Sequence, residues 1–381
     1  IRRPEREAGI IGTFRRSSRG FGFVRPLKAE RKADQIYIPP ESSGDASSGD
    51  EVIVKIIKRP KRAGMNLEGK IIRIVSRASG VFVGTYFERG GGAYVQIDGT
   101  SFRDPISVGD PGAKGAKPGE KVAIEMVCFP TPFVEGEGVI TEILGERGQP
   151  GVDTLTIIRA FNIPDTFDDS VLDEAREQAK GFSEEDVSGR LDLRDTLTVT
   201  IDPATARDFD DAISLTRDER GFWNLGVHIA DVSHFVRPGS DIDQSARHRG
   251  TSVYLPDRVI PMLPEVLSNG LASLQQGRVR YTVSAFLEFG DSGVVTDRRL
   301  ARSVIRVDHR FSYEQAFEVM KAPDREHEGI SPEIRQMLGR MLELAMILRQ
   351  RRYTRGALEL ALPEVAVELD GVGQVSGAHL V

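Results

Sequence analysis

A chain of 381 residues is long enough for two or three domains and at least one large core. With 39% hydrophobic and 28% charged residues it has the balance of an ordinary folded protein, and 39 Gly with 20 Pro favour short strands and turns over a helical bundle. The single cysteine, Cys128, excludes an internal disulfide and a cysteine-rich zinc site. No apolar run is long enough to span a bilayer and no signal-peptide pattern is present, so the cytosol is the default compartment. The first residue is Ile rather than Met, which places the expected natural start upstream. The net charge of −6 does not point to a polyanion, but residues 1–33 carry a net +7, leaving −13 for the rest. A basic arm (1–9) on an acidic body suggests RNA contact at one end, against the blander reading of a disordered tail.

Residues 10–60 read as a small β unit: Ile10–Phe14, Phe21–Val24, Gln35–Ile38 and Glu51–Ile56 are short apolar runs separated by Gly, Pro or Ser. Residues 66–145 read as a second copy, with Gly69–Val75 echoing the start, then Val81–Tyr86, Ala93–Ile97 and Glu120–Val127. Both copies place a turn, Gly49-Asp50 or Gly119-Glu120, before what reads as the last strand. A repeat of about 70 residues with about five strands predicts two small barrels of the oligonucleotide-binding type. Residues 146–189 read as a connector in which Ser170 caps a helix running to Gly181. A further domain, 190–381, opens with Thr196–Asp202, whose alternation of Leu197, Val199 and Ile201 with Thr predicts a half-buried strand. Trp223–Val232 is another strand. Ser331-Pro332 starts a helix whose Ile334, Met337, Leu338, Met341, Leu342, Ala345 and Leu348 form its core stripe.

The chemistry concentrates in Asp202–Asp211, DPATARDFDD, with carboxylates at 202, 208, 210 and 211. Like charges at this density repel unless a cation neutralises them. Hard Mg²⁺ prefers oxygen ligands, and two such ions can activate a water and stabilise the leaving oxygen of a phosphodiester. An EF-hand loop is excluded by Ala212 and Ile213, where it needs an oxygen ligand and Gly. A solvated acidic loop remains the bland alternative. The position directly after a core strand, with Phe209 inside the run, favours a metal site.

Together with Arg190–Arg194, the stretches TVTIDPATARDFDDAISL and His228–Leu274 (HIADVSHFVRPGSDIDQSARHRGTSVYLPDRVIPMLPEVLSNGLASL) resemble the catalytic domain of the ribonuclease II/ribonuclease R family, and ARDFDDA and SNGLASL lean to its ribonuclease R branch. Phe21-Gly22-Phe23-Val24 resembles the RNA-binding strand of a cold-shock domain. The resemblance implies two cold-shock-like barrels followed by an α+β catalytic domain, here incomplete at its C-terminus. It implies a 3′-to-5′ exoribonuclease that uses Mg²⁺, as two ions, to hydrolyse single-stranded RNA from its 3′ end into 5′-monophosphates, with structured RNA left open as a further substrate. It makes Asp202, Asp208 and Asp211 metal ligands that position the phosphate, and Asp210 a ligand and the most critical acid. Tyr254 becomes a ring stacked on the terminal nucleotide, although on the residues alone it reads as a core tyrosine. Phe21 and Phe23 become RNA-stacking rings. Arg258 and Arg280 read as RNA contacts or as solvated surface, and His228 as a structural hydrogen-bonding residue. The sequence departs from the family at Leu360, where an aromatic often clamps the last bases. The rest of the family's catalytic domain, with its arginine-rich phosphate-contacting segment, and then a third barrel, often with a basic tail, are expected beyond Val381, so the chain reads as a fragment that binds RNA but degrades it poorly. The rival readings are an RNA-binding or chaperone protein with a vestigial nuclease domain, and a metal-dependent phosphatase.

Overall fold

The computed structural model describes residues 9–380, apart from 18–19, 28–34, 60–65, 100, 103, 132, 361 and 364. The expected basic arm lies outside the described residues except for Gly9. The chain divides into two compact units, one running to Asp165 with Leu255–Arg258 and the segment from Val365, the other formed by Thr166–Tyr254 and Val259–Glu364.

The first unit holds two closed five-stranded barrels. Strands β1 (Ile10–Arg16), β2 (Gly22–Pro26), β3 (Ile36–Ile38), β4 (Glu51–Lys58) and β5 (Leu67–Ser76) build the first around Phe14, Val24, Ile36, Ile38, Val52 and Val54. Strands β6 (Val81–Arg89), β7 (Gly92–Ile97), β8 (Ile106–Ser107), β9 (Glu120–Cys128) and β10 (Glu137–Glu146) build the second around Tyr86, Val95, Ile106, Val122 and Ile124. The repeat is real, but its phase differs from the expected boundary between 60 and 66. β5 pairs antiparallel with β4 and parallel with β3, so it closes the first barrel rather than opening the second. Its counterpart is β10, and the counterpart of β1 is β6. Gly12 and Gly84 show the match: a Cβ on either would lie 2.4 Å or 2.3 Å from a carbonyl oxygen of the adjacent strand. Likewise Gly49 N–H donates to Phe14 O and Gly119 N–H to Tyr86 O, which pins the predicted turn to the first strand of each copy.

The expected connector is not a linker. Its first half forms α1 (Val152–Ala160), which packs Val152 against Val83, Ala123 and Leu144 of the second barrel. Its second half forms α2 (Asp169–Gly181), with Asp168 rather than Ser170 at the N-cap, and belongs to the second unit.

That unit is built on a seven-stranded sheet. Its strands are β11 (Leu191–Leu193), β12 (Val199–Asp202), β13 (Asp211–Arg217), β14 (Trp223–Ala230), β17 (Val279–Phe289), β18 (Val295–Arg306) and β19 (His309–Ser312), ordered β11-β18-β17-β14-β13-β12-β19. The intervening β15 (Val253–Tyr254) and β16 (Val259–Ile260) form a small hairpin, and β20 (Val365–Leu369) and β21 (Val375–Leu380) another. Short helices α3 (Val232–Phe235) and α4 (Asp241–Arg249) follow β14; α5 (Tyr313–Lys321) and α6 (Pro332–Thr354) follow β19. β12 is not half-buried as expected. It lies between β13 and β19, and Thr198, Val199 and Thr200 are all fully buried. Ser331 caps α6 as predicted, accepting from Ile334 N–H. Its core stripe runs through Ile334, Met337, Leu338, Met341 and Leu344, while Leu342 is half-buried and Ala345 exposed. Among the described residues no helix is long and apolar enough to cross a membrane.

Candidate nuclease site

The acidic run hangs between two core strands. Asp202 ends β12, Asp211 begins β13, and the loop between them is pinned from sequence-distant positions. Phe209 is buried, so its side chain anchors the loop while Asp208 and Asp210 on either side stay partly or fully exposed. Phe209 N–H donates to Ser273 Oγ at 3.2 Å, and Ser273 Oγ donates to Arg207 O at 2.8 Å. Leu274 N–H donates to Phe209 O at 2.7 Å and Ala230 N–H to Asp210 O at 2.9 Å. Arg310 of β19 stacks over the Phe209 ring at 4.5 Å and donates to Ala204 O at 2.9 Å. Sequence reasoning passed over Ser273 and Arg310, because neither has a motif of its own and both reach the loop only through the fold.

The electrostatics are those of an under-neutralised acid cluster. Asp202 is only 8% exposed, and its buried Oδ2 has no hydrogen-bond partner among the described residues. Burial first, then the charges of Asp211, Asp210 and Asp208, push its carboxyl up to about 6, with Arg310 partly opposing. Desolvation and the adjacent Asp210 raise Asp211 as well. A buried carboxylate oxygen with no donor, surrounded by three like charges, is the environment a hard cation would relieve. The donor set therefore fits Mg²⁺ chemically. Among the described residues, however, no three ligand side chains already close around one ion-sized point.

Tyr254 is 66% exposed, so the core reading is excluded. Its hydroxyl donates to Asp208 Oδ2 at 3.1 Å, which brings an open aromatic face to the acid loop. Desolvation and the Asp208 charge raise that hydroxyl's pKa. Arg258 sits half-exposed in the turn between β15 and β16, where its guanidinium pairs with Asp257 at 3.0 Å.

Arg280 corrects the sequence reading, which offered it as an RNA contact or solvated surface. It is 5% exposed and donates to Gly270 O, Ser273 O, Val279 O, Gln275 Oε1 and Glu184 Oε1. Its role is positioning: it holds the 270–275 segment from which Ser273 grips the acid loop. His228 is structural, as expected. It is fully buried between Ser214 Oγ (2.9 Å) and Ser284 Oγ (2.6 Å), and burial lowers its pKa to about 4.

The two predicted stacking rings lie in the other unit. Phe21 and Phe23 are half-buried on the outside of the first barrel, 5.9 Å apart, and both meet Tyr37, at 5.6 and 5.8 Å. Tyr37 was missed, although the signal was available: Ile36 and Ile38 point inward, so Tyr37 between them must point out. Exposed Arg15 lies opposite Phe23 in the register, so β1, β2 and β3 present a cation beside three rings.

Comparison with known proteins accounts for this combination of parts. The RNB domain family matches residues 190–379, the Ribonuclease B OB domain 12–74 and a cold shock domain 94–168. Ribonuclease R of Thermotoga maritima is 38% identical over 347 residues, covering 90% of this chain and 48% of that protein. This chain belongs to the ribonuclease R family. The structure of Mycoplasma genitalium RNase R in complex with ribose methylated single-stranded RNA superposes on 98% of the chain with a TM-score of 0.88 at 25% identity, and 58% of that protein is covered. The chain thus spans about half the length of the ribonuclease R relatives it matches. Yeast Ssd1, a pseudonuclease, shares the fold over 93% of the chain at a TM-score of 0.68 and 18% identity, so the ribonuclease R fold by itself does not decide activity.

Proposed function

We propose that the protein carrying this chain is a 3′-to-5′ exoribonuclease that hydrolyses single-stranded RNA to 5′-nucleoside monophosphates. The observation that carries the reading is the buried, unpartnered Asp202 oxygen among three further carboxylates at the end of a core strand. Asp202, Asp208, Asp210 and Asp211 would hold Mg²⁺, in the two-ion form the resemblance implies. When bound, the metal supplies an acidified water and charge neutralisation at the phosphate. Tyr254 offers its exposed ring to the terminal nucleotide, and its bond to Asp208 fixes that ring relative to the acids. Asp210, exposed on the acid loop, is the group on which turnover depends. Phe21, Phe23 and Tyr37 give stacking surface for unpaired bases, with Arg15 for phosphate. Arg258 is the weakest member of the set, because Asp257 already neutralises it.

Asp210→Asn tests the reading. The amide is nearly isosteric, a poorer ligand and unable to take a proton. With 3′-labelled RNA and Mg²⁺, mononucleotide release should fall by at least a hundredfold while RNA binding holds or tightens. Turnover near wild type would remove Asp210 from the chemistry. No turnover in either protein, with binding intact, would favour an RNA-binding protein with a silent nuclease domain.

A further inference from the structure

The hold on the acid loop can be followed outwards bond by bond. Fully buried Ser273 grips the backbone on both sides of Asp208: its Oγ accepts from Phe209 N–H at 3.2 Å and donates to Arg207 O at 2.8 Å. Leu274 N–H donates to Phe209 O at 2.7 Å, on the peptide that leads into Asp210. Ser273 is held in turn by Arg280, whose Nε donates to Ser273 O at 3.0 Å and to Gly270 O at 3.2 Å. Arg280 is 5% exposed, so its charge needs a counter-ion. Among the described residues its one carboxylate partner is Glu184, at 3.2 Å.

Glu184 lies beyond α2, in a stretch tied down on both sides of it. Before it, the Phe182 ring packs edge-on against Tyr281 at 5.0 Å. After it, the Tyr281 hydroxyl donates to Asp186 O at 2.6 Å, and Arg190 forms a buried ion pair with Asp231 at 2.7 Å. Glu184 is therefore a fixed anchor, yet its side chain is a third exposed, so replacing it leaves the core intact. Removing its charge has a different effect. It leaves a buried guanidinium without a counter-ion, and such a group turns towards water. The Gly270 and Ser273 carbonyls then lose the donor that fixes them, and the grip on the acid loop loosens.

We propose that Glu184 is a positioning residue of the nuclease site, acting through Arg280 and Ser273 on the loop that bears Asp208 and Asp210. The inference rests on the nuclease reading above for what the loop does, and on the hydrogen bonds alone for the linkage. Arg278 is the internal control. It pairs with the same Glu184 oxygen at 2.7 Å, but it is exposed, and among the described residues its side chain makes no hydrogen bond to 270–275.

The test uses the full-length protein that carries this chain and compares wild type with Glu184→Gln, Ser273→Ala, the double variant and Arg278→Ala. Glu184→Gln keeps the shape and an acceptor and removes only the charge. Hydrogen exchange in a metal chelator, followed by mass spectrometry, should be about fivefold faster in 203–211 for Glu184→Gln and unchanged for Arg278→Ala. With 3′-labelled RNA and Mg²⁺, Glu184→Gln should lower kcat about tenfold at unchanged KM, the low end of the loss when a support of a metal ligand is removed. In the Ser273→Ala background Glu184→Gln should add nothing to either effect, because the link it works through is already cut. In an active protein, wild-type exchange or wild-type kcat in Glu184→Gln overturns the proposal. Additive losses in the double variant, or an equal loss in Arg278→Ala, overturn it too, since either makes the effect one of general stability. Failure of the nuclease reading is separate: wild type then shows no Asp210-dependent turnover, and exchange in 203–211 still decides the linkage.

Discussion

Asp202→Asn probes whether the acid cluster is as strained as its geometry implies. A carboxyl raised from 3.8 to about 6 makes folding less favourable at every pH above 6, and the penalty disappears as pH falls towards 3.8. Two pKa units at about 1.4 kcal/mol each give about 3 kcal/mol. An amide left without a partner at the orphaned oxygen position takes back part of it, leaving a gain of about 1–2 kcal/mol at pH 8. His228 works in the opposite direction. Its pKa falls from 6.5 to about 4 on burial, so the unfolded chain takes up a proton first, and stability drops by about 3 kcal/mol as pH falls through that window. In the wild type the two effects oppose each other between pH 4 and 6, and the acid limb should be shallow. Asp202→Asn should steepen it, while His228→Gln should reverse it, so that the protein becomes more stable on acidification. The only tryptophan, Trp223, is buried in the core of this sheet and reports on this unit alone. Urea unfolding followed by its fluorescence, in a metal chelator at pH 4.5 to 8, should show the Asp202→Asn midpoint up by roughly 0.5–1 M at pH 8 and unchanged at the acid end. Wild-type midpoints across the whole range for Asp202→Asn would refute the strain, and with it the strongest argument for a cation at this site.

Three other outcomes follow from the geometry. Replacing Phe21 and Phe23 together with Ala should weaken single-stranded RNA binding at least tenfold, at about 1–3 kcal/mol per stacked base; unchanged affinity in a filter-binding assay would assign the rings to packing. Tyr254→Ala should change the length of the final undegraded oligonucleotide on a sizing gel more than the initial rate, whereas Tyr254→Phe should restore the limit product; if both behave as wild type, the exposed ring does not grip the terminus. Arg280→Ala should cost about 1–3 kcal/mol in the Trp223 transition, because it leaves the Gly270 and Ser273 carbonyls without their donor while Glu184 keeps Arg278, and Arg280→Lys should not rescue it. A stable Arg280→Ala with a reduced salt slope for RNA binding would restore the surface reading.

What the sequence made legible was local. Two barrels were readable because each short strand alternates and each copy repeats its glycine turn. Their phase was not, because β5 is assigned by a parallel pairing to β3, between residues about thirty apart with β4 between them in the chain. The acid loop announced itself through four carboxylates around one phenylalanine. Its supports did not, because Ser273 and Arg310 arrive from 64 and about 100 residues away. Arg280 was misread for a related reason. On an alternating strand it looks like a solvent-facing residue, but the 270–275 segment folds over it and supplies its acceptors. The same limit applies to β12, where threonine alternation suggested an open face but Thr198 and Thr200 are fully buried.

The choice between a nuclease and a binding protein on this scaffold turns on cost. The barrels, the seven-stranded sheet and the Tyr254 hairpin would serve either role, since on the proposed reading each could offer surface to RNA. The acid cluster serves only one. Four carboxylates beside an RNA path repel phosphate, and burying one of them without a partner lowers stability by an amount comparable to a large core defect. A protein that only held RNA would bind more tightly and fold more stably with Asn at these positions. The pinning of this loop through Phe209, Ser273, Arg310 and the buried Arg280 likewise serves no purpose for affinity, because it fixes groups that oppose binding. Both features make sense together if a divalent cation enters the cluster. The repulsion then becomes affinity for the metal, and the rigid loop becomes the frame that fixes the charge where a phosphodiester is cut.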